Sequence, residues 1–107
     1  MAASNSTMIH RLQRAINDKY DQRILYNKTQ FYSNDQNRPV TMYLIKKAIW
    51  DEDKQKNKNV ELFSSTSQIQ IVLFLRDLWY ELNGWEVPDD NEMWNRAKAA
   101  YANAHGG

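Results

Sequence analysis

SQIQIVLFLRDLWYELNG, residues 67–84, decides the fold, because its apolar residues fall on two opposite sides of a helix and both sides call for cover. At about 100° per residue, Ile71, Val72, Leu75, Leu78, Trp79 and Leu82 share an arc about 120° wide, the stripe of a core-facing helix. Ile69, Leu73 and Tyr80 gather within about 40° of one another on the far side. Gln70, Asp77 and Glu81 fall in a polar lane between the faces, and Arg76 interrupts the second patch. A hydroxyl of Thr66 or Ser67 can cap the first turn, and Gly84 can take the left-handed conformation that ends the helix.

Downstream, Trp85-Glu86-Val87-Pro88 reads as a connector, and Asp89 with Glu92 three positions later as a capping-box-like start. The last helix then places Met93, Trp94, Ala97, Ala100, Tyr101 and Ala104 on one face, the expected cover for Ile69, Leu73 and Tyr80. Upstream, Ile9, Leu12, Ile16 and Tyr20 recur at helical spacing, with Ser6 or Thr7 as cap and an end near Asp21. His10, Arg11 and Arg14 form the basic side of this first helix.

Between the helices, 23–33 is rich in Tyr, Phe, Ile and Thr and reads as a strand. The turn formers of 34–39 join it to a second strand over 40–50. In that strand Tyr43, Ile45 and Ile49 alternate with Val40, Met42, Leu44, Ala48 and Trp50, so a sheet buried on both sides is expected at its middle. Residues 51–59, DEDKQKNKN, read as an exposed loop, and 60–63 as a short third strand. The fold class is α+β: a small antiparallel sheet of two or three strands in the order α-β-β-(β)-α-α, with the helices on one face. One domain spans 1–107, with 1–6 and 104–107 expected to fray.

Composition bounds the chemistry. The chain has no cysteine, so disulfides, thiolate metal sites and cysteine nucleophiles are excluded, and the cytosol is the expected compartment. The longest apolar stretch, 71–75, is too short to span a membrane. Only Gly84, Gly106 and Gly107 are glycines, too few for a phosphate-binding or dinucleotide-binding loop. The histidines, His10 and His105, lie far apart in the chain; no metal site and no cofactor is expected. Glu52-Asp53-Lys54 is the one hint of a metal-dependent nuclease, a carboxylate–lysine triplet of the kind that solvated loops contain.

Residues 1–60 hold 11 Lys/Arg against 6 Asp/Glu, and residues 61–107 hold 3 against 7, so a net charge of +1 conceals a dipole. Two binding functions follow. The first is a non-catalytic protein-interaction module, an adaptor, inhibitor or subunit, with Tyr26, Tyr32, Trp50 and Trp85 as interface aromatics. The second is nucleic-acid binding through Arg11, Arg14, Lys28, Arg38, Lys46, Lys47, Lys54, Lys56 and Lys58, residues that suit an acidic protein partner equally. The helix-strand-strand-strand-helix order is similar in outline to the double-stranded-RNA-binding domain, a resemblance of topology alone. Where that family carries a lysine cluster at the start of its second helix, this chain has Ser64-Ser65-Thr66-Ser67-Gln68.

Overall fold

The structure, a computed structural model, describes residues 4–106. Its elements are α1 (Asn5–Tyr20), β1 (Ile24–Ser33), β2 (Arg38–Asp51), β3 (Lys56–Ser65), α2 (Gln68–Leu82) and α3 (Glu92–His105). The sheet is antiparallel in the order β1-β2-β3, and the helices pack on one of its faces.

The cap of α1 is Ser4, whose Oγ accepts from the Thr7 N–H, so the helix begins two or three residues ahead of the expected Ser6 or Thr7 cap. Asp21 ends it in the left-handed conformation, φ 50°. At the other end α3 continues through Ala104 to His105, where fraying was expected; residues 1–3 and 107 of the frayed segments lie outside the described residues.

The third strand is the largest departure from the sequence reading. Lys56 to Asn59 extend it, and the loop shrinks to four residues, 52–55. Two local causes are visible. Asp51 Oδ1 accepts the N–H groups of Asp53 and Lys54 at 3.1 and 3.3 Å, and Gln55 adopts φ 51°, which closes a tight turn. Pairing with β2 then outweighs the low strand propensity of lysine and asparagine.

Register places Tyr26, Ile45 and Phe63 side by side on the helix side of the sheet. Ile24, Ile45 and Phe63 are buried against Ile9 and Ile16 of α1, Ile71, Val72 and Leu75 of α2, and Trp94 of α3. A bulge where β3 passes Ile45/Lys46 gives β3 one extra residue, and Leu62 and Phe63 both join the core. On the opposite side Leu25, Met42, Leu44 and Ala48 stay half-exposed and Phe31 and Trp50 exposed, with no helix over them among the described residues. Burial of the sheet on both sides is therefore corrected: the middle of β2 is apolar on two faces, but only one is covered.

The long helix is covered, but not as its pattern suggested. α1 lies along Val72 and Trp79, whereas α3 meets Phe74, Asp77 and Leu78, where the polar lane at Asp77 borders the core-facing stripe at Leu78. Phe63 contacts Phe74, Trp94 and Tyr101 at ring-centroid distances of 5.1, 5.4 and 4.9 Å, and this aromatic stack seats α3. Ile69 consequently stays 56% exposed, and Met93, placed by its periodicity on the packed face, is 82% exposed. Ala100 and Ala104 are exposed as well, leaving Trp94, Ala97 and Tyr101 as the working face. The cap of α3 is Asn91, whose Oδ1 accepts the Trp94 N–H at 3.0 Å; Asp89 instead accepts from the Asn95 side chain.

What draws α3 to that lane is Asp77, which is only 6% exposed. Its Oδ2 accepts from Trp94 Nε1 at 2.9 Å and Lys98 Nζ at 3.0 Å, and its Oδ1 accepts from Arg76 Nη2 at 3.0 Å. Arg76 reaches on to Asp90 at 3.6 Å, which ties the connector into the same cluster. Burial pushes the Asp77 carboxyl up, but the indole N–H, Lys98 and Arg76 together outweigh it and hold the group below the ordinary carboxylate value.

Replacing Asp77 by Ala strands the buried Trp94 N–H and is expected to cost about 2–3 kcal/mol, read as a lowered urea midpoint; an unchanged midpoint contradicts this role. Since the folded carboxyl ionises below its unfolded value, near 3.9, its contribution is complete above that pH and disappears as pH falls through the lower folded value. Asp77→Asn is accordingly expected to flatten the acid limb of the stability profile below about pH 4.

Candidate functional site

Both outer strands of the sheet present a backbone edge, and the two edges are finished differently. Beside β3, α3 makes side-chain contacts and no backbone ones among the described residues: the Tyr101 hydroxyl donates to Glu61 Oε2 at 2.6 Å, and the His105 ring stacks on Tyr101 at 4.0 Å. Burial first, and the Glu61 carboxylate second, push the Tyr101 phenol well above its ordinary value, so it stays a donor. Lys56 and Lys58 mark the remainder of that strand with charge, a common protection of edges.

Along β1 the protection stops after one residue. Asn17 Oδ1 accepts the Ile24 N–H at 2.7 Å, while Gln13 Nε2 and Asn17 Nδ2 donate to the Ile24 carbonyl at 2.9 and 3.0 Å. Two amides of α1 thus occupy the outward backbone groups where β1 begins. Arg23, one residue earlier, turns its carbonyl the other way and accepts from Ala48 N at 3.1 Å. Even-numbered residues of β1 therefore direct N–H and C=O away from β2. The outward groups of Tyr26, Lys28, Gln30 and Tyr32 have no hydrogen-bond partner among the described residues, and residues 27–32 are all exposed.

The flank of this edge is basic. His10 lies edge-on to the Tyr26 ring at 5.6 Å, and Arg14 shares its side of α1 with His10, Gln13 and Asn17 around a shallow depression. Lys28 projects from β1 on the same side of the sheet as Tyr26. Asp18 is the one carboxylate in this neighbourhood. Of the sequence candidates, Tyr26, Lys28 and Tyr32 thus lie along this edge on one side of the sheet, and Arg14 lines the depression on the α1 flank beside His10. Arg11 lines a second depression with His10, Arg14 and Asp18 and also borders the apolar groove of Met8, Leu12, Val72, Trp79 and Tyr80.

The other candidates are dispersed. Arg38 donates from Nε to Gln36 Oε1 at the first hairpin turn, and Tyr32 bonds Asn37 there. Lys47 donates to Gln22 Oε1 at 3.0 Å and fastens the segment before β1, a structural task. Lys46 lies on the open face beside Leu25, opposite Glu61. Lys54, Lys56, Lys58 and Trp50 belong to the β2–β3 ribbon beyond the reach of β1, and Trp85 packs edge-on against Tyr80 at 5.3 Å. The triplet Glu52-Asp53-Lys54 occupies the tight turn at the ribbon's tip, beside the Asp51 carboxylate that closes it.

Gln13, Asn17 and Gln30 had no distinguishing mark in the sequence. Amides at i and i+4 on the flank of an amphipathic helix look like any solvated pair until a strand start is placed under them. Comparison of the chain with family models, with curated proteins and with solved structures found no match.

Backbone parity makes the edge testable by amide exchange. Tyr26, Lys28, Gln30 and Tyr32 are expected to exchange at least about a hundredfold faster than Leu25, Asn27 and Thr29, whose N–H groups face β2. Equal protection of the two sets overturns the assignment of an open edge.

Proposed function

We propose that the protein is a non-catalytic interaction module that takes an extended segment of a partner protein onto the open edge of β1. The observation that carries this reading is the row of unpaired backbone groups at Tyr26, Lys28, Gln30 and Tyr32, flanked by α1 and closed at Ile24 by Asn17 and Gln13. An exposed edge of this kind supplies affinity through main-chain hydrogen bonds and selectivity through every second side chain. The Asn17 and Gln13 amides give it a defined end, so a docked strand has a fixed starting register at Tyr26.

Nucleic-acid binding is the second reading, supported by Lys54, Lys56 and Lys58 on the β2–β3 ribbon. It is the weaker one. Those lysines follow directly on Asp51, Glu52 and Asp53, with Lys56 paired opposite Asp51, and Arg38 lies at the other end of β2. The start of α2 carries Ser65, Ser67 and Gln68 in place of lysines. Phosphate contacts need cations converging on one tract, and the loss of affinity with salt scales with their number.

A proline at position 30 separates the two readings. The Gln30 N–H points away from β2, so Gln30→Pro deletes an edge donor and adds a ring there without removing a ladder bond. Thr29→Pro removes a ladder bond and is expected to lower the melting temperature by several degrees more. Nuclease-treated host lysate passed over wild type, Gln30→Pro and the triple variant Lys54→Ala/Lys56→Ala/Lys58→Ala is expected to leave one captured protein on the first and third only. Capture that survives Gln30→Pro rejects the edge; in a separate titration with purified duplex RNA and DNA, binding that is lost in the triple variant and at high salt favours the second reading.

A further inference from the structure

We propose that the segment received by β1 is acidic and alternating, with a carboxylate at every second position and uncharged β-forming residues between. This rests on the strand-addition reading above and specifies its partner. A strand paired to β1 directs alternate side chains to the two sides of the sheet, and those sides differ in charge.

On the helix side the incoming residues run beside Tyr26, Lys28, Gln30 and Tyr32 and pass the outer flank of α1. The cations on this side are Lys28 on β1 and Arg14 on the α1 flank, which lines one depression with His10, whose ring lies edge-on to Tyr26; both cations are exposed and neither is in an ion pair among the described residues. Asp18, which lines the same depression, opposes incoming carboxylates. On the open side the incoming residues lie next to Asn27, Thr29 and Phe31, with Met42 and Leu44 one strand farther in, and no charged side chain of β1 is present. Cross-strand neighbours of opposite charge stabilise pairing and like charges oppose it, so the helix side selects carboxylates. The open side favours β-branched or aromatic residues that extend the half-exposed apolar surface. Because the Ile24 backbone is already occupied by Asn17 and Gln13, the site begins at Tyr26 and ends with β1 at Ser33, which sets the footprint at about eight residues. The excess of Lys and Arg in the first half of the chain adds long-range attraction for the same kind of segment.

Two capped octapeptides serve as probes, one alternating Glu and Val and one alternating Lys and Val, titrated against wild type, Gln30→Pro and the double variant Arg14→Glu/Lys28→Glu. Circular dichroism checks that each variant is folded. Wild type is expected to bind the Glu/Val peptide about tenfold more tightly than the Lys/Val peptide, the size two exposed ion pairs supply. The double variant is expected to reverse that order, and Gln30→Pro to lose both. Equal binding of both peptides that is lost in Gln30→Pro overturns the acidic preference while leaving strand addition standing. Binding of the Glu/Val peptide that is untouched by Gln30→Pro overturns strand addition itself and leaves charge attraction alone. No binding of either peptide to wild type overturns the inference.

Discussion

The Asp77 carboxylate is the point on which the helical layer turns. A lone carboxylate on the buried side of a helix is untenable, because removal from water costs several kcal/mol unless hydrogen bonds and opposite charge compensate. Here compensation comes from three directions: the Trp94 indole and the Lys98 ammonium on α3, and the Arg76 guanidinium on α2 itself. Asp77 thereby dictates where α3 docks and which way its tryptophan points. Arg76, by engaging Asp90 as well, also holds the connector that leads into α3. The apolar contacts around it, Phe63 with Phe74, Trp94 and Tyr101, supply most of the burial, but they are not directional. Direction comes from the carboxylate.

A second constraint shapes the sheet. β2 is longer than either neighbour, and β1 and β3 pair with opposite ends of it, so the sheet is three strands wide only across 43–47. Each hairpin overhangs as a two-stranded ribbon, and each overhang exposes two large apolar side chains on opposite faces, Phe31 with Tyr32 and Ile49 with Trp50. Ribbons of this kind gain little from their own pairing and depend on the three-stranded centre for stability. α1 and α3 flank the two sides of that centre, but differently: Asn17 and Gln13 bond the Ile24 backbone, whereas Tyr101 bonds the Glu61 side chain. The β1 edge beyond Ile24 stays without a hydrogen-bond partner among the described residues, and it is the edge whose first residue α1 closes at the backbone.

Periodicity carried the sequence reading far where a single solvent–core boundary decides the pattern. Ile9 and Ile16, Ile71, Val72 and Leu75, and Trp94 were all placed correctly by spacing, because a helix against a core exposes one side and buries the other. The same logic failed at Asp77 and Met93. A buried carboxylate and an exposed methionine contradict the average tendency of their residue types, and only the position of the partner helix resolves such exceptions. The third strand was underestimated for a related reason: Lys56, Asn57, Lys58 and Asn59 are poor strand formers taken singly, and the ladder with 48–51 overrides them. At the candidate site Arg14, Lys28 and Tyr26 were legible as types, but their arrangement was not, since α1 and β1 meet only after the chain folds back at Asp21 and Arg23.

By itself the sequence determined the α+β class, the order of elements, the central role of 67–84 and the absence of any cysteine or glycine-loop chemistry. These follow from local quantities: hydrophobic period, turn formers, cap residues and composition. Tertiary structure alone decided which lane of the long helix receives α3, which face of the sheet stays open, and that the β1 edge is closed at Ile24 yet open from Tyr26 onward. Those outcomes depend on pairing between residues far apart in the chain: a carboxylate finding an indole across two helices, and amides of one helix finding the backbone of the strand that follows it. Such pairings are set by the relative placement of whole elements, which no local pattern encodes.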